Sequence, residues 1–564
     1  MKRGKQQPSP CWRRLRQCFC LLAIMLLLTN GAVLFAQRRM PARRQTGGAA
    51  TTVGADDAAN LNAKARTAAD AAIAALQRNA LAEAEREARA SAAAAPRSAL
   101  PHNLLGVILD RAGRTDDALA EFNAALKLDP NFVSARNNMG RVLAERGRTA
   151  EALSEFMRVL KIEPNHLQAH YNLGALYGDS GDFIKASEHF ARARASAPED
   201  PQLALAFLNV AYRADRKAEA DAAAELVERA SASDPRSLFT LAVALAQNAQ
   251  YERAARIFAR LNEMVPQTYE VLYNLGIALY NLDRNDEAAR HLSEAADLNP
   301  APAETHFRLA LLASARNDST NAVEEFRHAI ERDPKNANYH YMLGREYFRA
   351  GFWEGAINEY SAAIAAEPKQ VAYFLGRANA NYRKGEWMAA AADFDQAASL
   401  GAGVKDIEFL QGYAHRAAGN FDRARQLLET FLAKNPDHVD ALANLGYLAI
   451  EQGRLEEAEP QLKRALGLDP DNVPVLYDYA RLAVKRRDYE EAVTRLLRVV
   501  EKNPTHTQAH YQLFLAYSRL KQTEKAAAEL AEFKRLEALE KEATQERIRD
   551  EKLRTQQILG QPSQ

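Results

Sequence analysis

An alanine recurs every 34 residues through most of this chain: Ala84, Ala118, Ala152, Ala186, Ala220, Ala254, Ala288, Ala322, Ala356, Ala390, Ala424, Ala458, Ala492 and Ala526. No step is missed. Prolines keep the same stride at Pro96, Pro130, Pro164, Pro198, Pro266, Pro300, Pro334, Pro368, Pro436, Pro470 and Pro504. A third series, Gly106, Gly140, Gly174, Gly276, Gly344 and Gly446, is spaced by the same step or multiples of it. Such a period, held from about Arg66 to Glu540, confines the chain to stacked copies of one supersecondary unit. Each copy is stabilised only by its neighbours. Length alone suggests three or four domains; the register predicts one continuous array with no globular centre.

Within the unit, HYNLGALY (170–177) reads as helix although Gly174 sits inside it, where glycine costs about 1 kcal/mol relative to alanine. HNLLGVIL, RNNMGRVL, LYNLGIAL, HYMLGREY and LANLGYLA repeat the pattern. With units counted from residue 65, positions 4, 7, 8 and 11 share one helical face. A residue of almost no volume at 8, set against alanine at 20 and 27, lets two helices approach closely, and bulk at 4, 7, 11 and 24 fills the surround. Proline at 32 ends the second helix. Gly147, Gly181, Gly351, Gly385, Gly419 and Gly453 at position 15 suit the turn between helices. No β-like alternation appears, so the chain reads as all-α.

These residues resemble the tetratricopeptide repeat, a helix–turn–helix unit. The copy at 337–370 matches almost throughout, with His340, Leu343, Gly344, Tyr347, Ala356, Tyr360, Ala363 and Pro368. The resemblance implies a right-handed superhelical solenoid of about fourteen 34-residue repeats over 65–540. Units start at 65, 99, 133, 167, 201, 235, 269, 303, 337, 371, 405, 439, 473 and 507. Departures are local. Unit 65–98 is alanine-rich, and Ala232 and Ala402 replace the proline in their units.

The N-terminus predicts export. Lys2, Arg3, Lys5, Arg13, Arg14 and Arg16 precede an apolar run, CFCLLAIMLLLTNGAVLFA (18–36), and Leu34-Phe35-Ala36 before Gln37 resembles a signal-peptidase site. The rival is an uncleaved anchor in the cytoplasmic membrane, since such a run just spans a bilayer. Either places the array outside that membrane, periplasmic or extracellular. Cys11, Cys18 and Cys20 all fall in this segment, so the exported part holds neither a disulfide nor a thiol catalyst. Its loss turns a formal charge of +1 slightly acidic, which offers nucleic acid no global attraction. Residues 37–64 read as a flexible linker and 541–564 as a charged helical tail, with 534–557 continuing the last helix as a solvating cap.

Catalytic chemistry is scarce. His166/His170 and His506/His510 have the i, i+4 spacing of a metal pair. They are, however, repeat positions 34 and 4, and position 4 also holds His102, His306 and His340, so packing is the expected role, with no neighbouring carboxylate to complete a site. LGAGVKD (400–406) follows no strand and lacks a third glycine; it stands in for a missing proline turn. No P-loop, nucleophile elbow or triad context appears. The expectation is a non-enzyme without metal or cofactor.

Binding remains. The resemblance implies a groove lined by positions 2, 5, 6, 9, 12 and 13 of the first helix. Asn138, Asn172, Asn274 and Asn444 at position 6 resemble the family's partial asparagine ladder, able to clamp a backbone. From 303 to 438 the same stripe carries Arg308, Arg345, Arg349, Arg383 and Arg416 interleaved with Phe307, Tyr341, Phe348, Tyr382, Phe409 and Tyr413. Arginine forks suit carboxylates and aromatic faces suit sugars or apolar groups. The expected partners are therefore proteins offering extended or acidic segments, with an acidic glycan as the alternative. Membrane contact is expected only through an uncleaved N-terminus. The function classes are an envelope scaffold, a polysaccharide- or peptide-chain-binding module, or a targeting arm for a separate glycosyltransferase.

Overall fold

The computed structural model describes residues 61–401 and 403–559; the expected signal segment and most of the linker lie outside them. Among the described residues there are 28 α-helices and no strand. They gather into two compact units that divide after Ala230.

In the first unit, helix pairs succeed one another as α1 (Ala63–Gln77) and α2 (Leu81–Ala94), α3 (Ala99–Arg111) and α4 (Thr115–Leu128), then α5 (Val133–Glu145) and α6 (Thr149–Ile162). Two more pairs follow, α7 (Leu167–Asp179) with α8 (Phe183–Ser196) and α9 (Pro201–Arg213) with α10 (Lys217–Ala230). The second unit opens with α11 (Pro235–Gln247) and α12 (Tyr251–Met264), α13 (Tyr269–Tyr280) and α14 (Asn285–Leu298), α15 (Ala303–Ala315) and α16 (Ser319–Arg332). It continues with α17 (Ala337–Ala350) and α18 (Trp353–Ala366), α19 (Val371–Lys384) and α20 (Trp387–Ser399), α21 (Ile407–Ala417) and α22 (Phe421–Lys434). Last come α23 (Val439–Glu451) and α24 (Leu455–Leu468), α25 (Val473–Arg486) and α26 (Tyr489–Lys502), α27 (Thr507–Arg519) and α28 (Thr523–Leu559). α28 runs on as a single helix of 37 residues and comes up against α16 within the same unit.

The alanine series explains the packing. From Ala84 to Ala492 every member is fully buried, and Ala526, in the last pair, is 5 % exposed. The glycines of position 8 meet the large residue of position 24: a Cβ on Gly106 would lie 2.6 Å from the Phe122 ring, and on Gly446 2.5 Å from Leu462. Closer approach is what the missing side chain provides.

The turn inside each pair is stricter than its sequence. Position 15 takes the left-handed conformation in every pair, whether glycine (Gly113, Gly147, Gly181, Gly351, Gly385, Gly419, Gly453) or not (Asn79, Asp215, Ala249, Asp283, Asn317, Arg487, Lys521). The next N–H then reaches back to a carbonyl five residues earlier, as in Arg114 to Leu109 at 2.9 Å and Glu386 to Asn381 at 2.9 Å, which satisfies the frayed end of the first helix. LGAGVKD departs from the pattern. Gly401 and Asp406 both have positive φ, and α21 begins only at Ile407, two residues late in the register.

First helices also touch the first helices that follow them (α1 and α3, α3 and α5, α5 and α7; α17 and α19, α23 and α25). Locally, therefore, the first-helix side is the inner one, and it carries the stripe of candidate residues.

Candidate partner-binding face

On the first unit's inner side the amides join successive helices. Asn138 Nδ2 on α5 donates to Asn103 Oδ1 on α3 at 3.0 Å, and Asn172 Nδ2 on α7 to Asn137 Oδ1 on α5 at 3.3 Å. Each rung crosses one repeat, from position 6 back to position 5. Sequence reasoning missed Asn103 and Asn137; the signal was the adjacent pair Asn137–Asn138. Beside them Arg141 bridges Asp110 of the preceding first helix and Glu145 of its own. The other two asparagines behave differently. Asn274 and Asn444 turn back onto the carbonyls of Glu270 and Asp440, four residues earlier, at 2.7 and 2.6 Å.

The five arginines of the second unit do not form one class. Arg308 is paired with Glu304 at 2.7 Å, and Glu304 also accepts from the Tyr339 hydroxyl. Arg349 is a strut: it holds the buried Glu346 carboxylate and donates to Ser314 O at 2.9 Å and Asn317 Oδ1 at 3.0 Å, the turn of the preceding pair. Arg383 lies over the Trp353 ring at 5.6 Å. Arg416 is layered between Tyr413 and Tyr447, at 5.1 and 4.7 Å, with its Nε enclosed and unbonded. Arg345 faces Tyr341 at 5.8 Å, and among the described residues its hydrogen-bond partner is Met342 Sδ, at 3.3 Å.

The aromatics pack mainly on protein. Phe307 and Phe409 are core residues, each 5 % exposed. Phe307 meets Tyr339 at 4.8 Å, and Phe409 meets Phe431 at 5.4 Å and His438 at 4.9 Å. Phe348 stands edge-on to Trp353, and Tyr382 tilts against Tyr413. Tyr341 is wedged between Tyr360 and Tyr373. A run of open faces for sugar stacking is not what these rings make.

The histidine expectation needs a correction. Carboxylates do stand beside the position 4 histidines, 19 residues on, because the antiparallel partner helix brings position 23 opposite position 4. His102, His306, His340 and His510 meet Glu121, Glu325, Glu359 and Glu529 at 2.6–2.8 Å. In the last three, Nε2 also meets the carbonyl of Pro300, Pro334 or Pro504 at 3.0–3.2 Å. Arg136 fills the same role with Glu155 and Pro130. Both ring nitrogens of His340 face acceptors, which favours its imidazolium, and the Glu359 hydrogen bond raises its pKa. Where position 23 is His189, the chemistry inverts. His170 and His189 share one Nδ1···Nδ1 contact of 2.9 Å, and desolvation, reinforced by its neighbour, lowers the His189 pKa to about 4. His166 and His506 cap helices, their Nδ1 accepting from Ala169 and Ala509 N–H. Among the described residues no cluster of three or more His, Cys, Asp or Glu could hold a metal, and no helix is long and apolar enough to cross a membrane.

Tetratricopeptide-repeat patterns match residues 69–131, 104–166, 239–300, 273–337, 341–404 and 409–473, more than half of the chain, and a second such pattern matches 143–209 and 449–510. The chain belongs to the tetratricopeptide repeat family. No curated protein matches it. Solved structures similar to it include the Cut9–Hcn1 hetero-tetramer of the APC/C (16 % identity, 84 % of this chain and 94 % of that one, TM-score 0.32). Yeast Tom70 is similar over 76 % of this chain and 96 % of its own (16 %, 0.28). YrrB, described as a tetratricopeptide protein with an unusual peptide-binding site, is similar over 34 % and 98 % (20 %, 0.29).

Proposed function

We propose that this chain is a non-enzymatic protein-interaction scaffold whose inner, first-helix face takes extended segments of partner proteins. The observation that carries the reading is the inter-repeat amide rungs at Asn138 and Asn172, placed beside one another on successive helices. Their spare carbonyl lone pairs and second N–H groups match the alternating donors and acceptors of an extended backbone. Glycan binding is the weaker reading, because Phe307 and Phe409 are spent on the core. The N-terminal run supports work in the cell envelope, with the array delivered across the cytoplasmic membrane by residues 1–36.

A photo-crosslinking residue placed at Asn172 or Arg345 in the native host tests this. Discrete protein adducts should form at both, and not at Met388, an exposed residue of a second helix. Adducts equal at all three positions, or adducts to glycan alone, would refute the reading.

A further inference from the structure

Five repeats place histidine at position 4. Four of them set a glutamate opposite it at position 23, and the fourth repeat of the chain sets His189 there instead. His170 is fully buried and His189 half-buried. Their Nδ1 atoms meet at 2.9 Å, with the ring centres 5.2 Å apart. Nε2 of His170 donates to Pro164 O at 2.9 Å, so the proton of the neutral ring is spent there. Nδ1 of His170 is then a bare acceptor, and a single proton, carried by His189, closes the contact.

A further proton has no good place. On either ring it makes an imidazolium with no carboxylate bonded to it among the described residues, and on both it sets two N–H groups head-on. The charges acting on the pair are Arg192 and, in opposition, Glu188, both on α8. Glu163, at the end of α6, acts on His166, and Asp200, ahead of α9, on Tyr171. Tyr177 of α7 stacks on His189 at 5.6 Å and carries Lys185, which Asp182 holds. Desolvation is the main cause that lowers the pKa of both histidines.

The pair is connected to the inner face. Phe190 follows His189 in α8, fills the space against Gly174, and meets the Tyr171 ring edge-on at 5.4 Å. Tyr171 and Asn172 are the inner-face residues next to His170 on α7, and Asn172 makes the rung to Asn137. Parting α7 from α8 therefore disturbs both. We propose that the His170–His189 contact is an acid-sensitive latch on partner binding. Neutral, it holds α7 on α8 and keeps Tyr171 and Asn172 placed for a partner segment; protonated, it frees α7 and releases the segment. The inference rests on the proposed reading of the inner face as the one that takes partner segments.

Hydrogen exchange of the full-length chain at pH 7 and pH 5, expressed as protection factors, tests the latch. The open pair takes up protons that the closed pair refuses, so α7 and α8 amides should lose protection about tenfold or more at pH 5. Amides of α17, where His340 faces Glu359, should change less than about twofold. His189→Glu should remove most of the loss. His166→Asn, which keeps a capping acceptor for α7 without titrating, should leave most of it. If His189→Glu leaves the loss and His166→Asn removes it, the latch is overturned. The crosslinker at position 172, used in native envelopes, reads the release: protein adducts should fall severalfold from pH 7 to pH 5, while those at position 345 hold. Adducts at 172 that ignore pH would overturn the latch alone. Adducts absent at both pH values would overturn it together with the scaffold reading.

Discussion

Gly174 and Phe190 test the packing argument quantitatively. A Cβ on Gly174 would lie 2.8–2.9 Å from Cδ2, Cε2 and Cγ of Phe190, a ring only 4 % exposed and unable to swing aside. The neighbouring pair solves the same contact the other way round. Leu208 takes position 8 there and Ala224 takes position 24, and both are fully buried. Gly174→Leu alone gains about 1 kcal/mol of helix propensity but overpacks, for a net loss of about 1–2 kcal/mol. Phe190→Ala alone opens a cavity worth about 3–5 kcal/mol. Together they recreate the Leu208–Ala224 arrangement, so the double variant should be less damaged than Phe190→Ala by itself. The coupling energy should then be at least about 1–2 kcal/mol. Urea melts read by circular dichroism give the cycle, and hydrogen exchange of α7 and α8 amides localises it, since repeats transmit damage only to neighbours. Effects that add to within about 0.5 kcal/mol would refute the volume exchange.

Four further outcomes are expected. The depressed His170 and His189 pKa values favour neutral rings, so their stabilising contribution is full above about pH 6.5 and drains away as pH falls toward the folded value of about 4 for His189. His189→Glu, which installs the partner used in four other repeats, should lessen the fall in melting temperature between pH 7 and 4.5, with the remainder due to the buried His166 and His506; an unchanged slope would refute the assignment. Arg349→Ala leaves the buried Glu346 carboxylate with the Ser314 hydroxyl but without its countercharge and should cost about 3 kcal/mol, while Arg345→Ala should cost far less; equal melts would show that Arg349 is no strut. Ala249 holds φ +57° at the position where seven pairs use glycine, so Ala249→Gly should raise stability by about 1 kcal/mol, read by the urea midpoint. Residues 1–64 fused to a reporter active only outside the cytoplasm should give signal, with the mature chain starting near Gln37; intact protein in the cytosol with Met1 or Lys2 at its terminus would refute export.

What the sequence determined by itself is whatever repeats. Alanine at every thirty-fourth residue required close helix contacts, and that series is buried from end to end. Glycine at position 15 signalled a left-handed turn, although Arg487 and Lys521 hide the same conformation behind side chains that disfavour it. Single-residue exceptions escaped, as in the late start of α21 after Gly401, where no periodicity guides the eye.

Tertiary structure alone decided the fate of each polar group. Arg345 and Arg349 sit four residues apart on one stripe with the same chemistry, yet Arg349 reaches Glu346 and the preceding turn while Arg345 pairs with no acid among the described residues. His510 finds Glu529 only because two antiparallel helices bring residues 19 apart to 2.6 Å. Apolar burial scales with surface and averages over many contacts, so a pattern of residue types suffices to place it. A hydrogen bond or ion pair depends on a few tenths of an ångström and on which partner arrives first. Those distances exist only once the helices have packed.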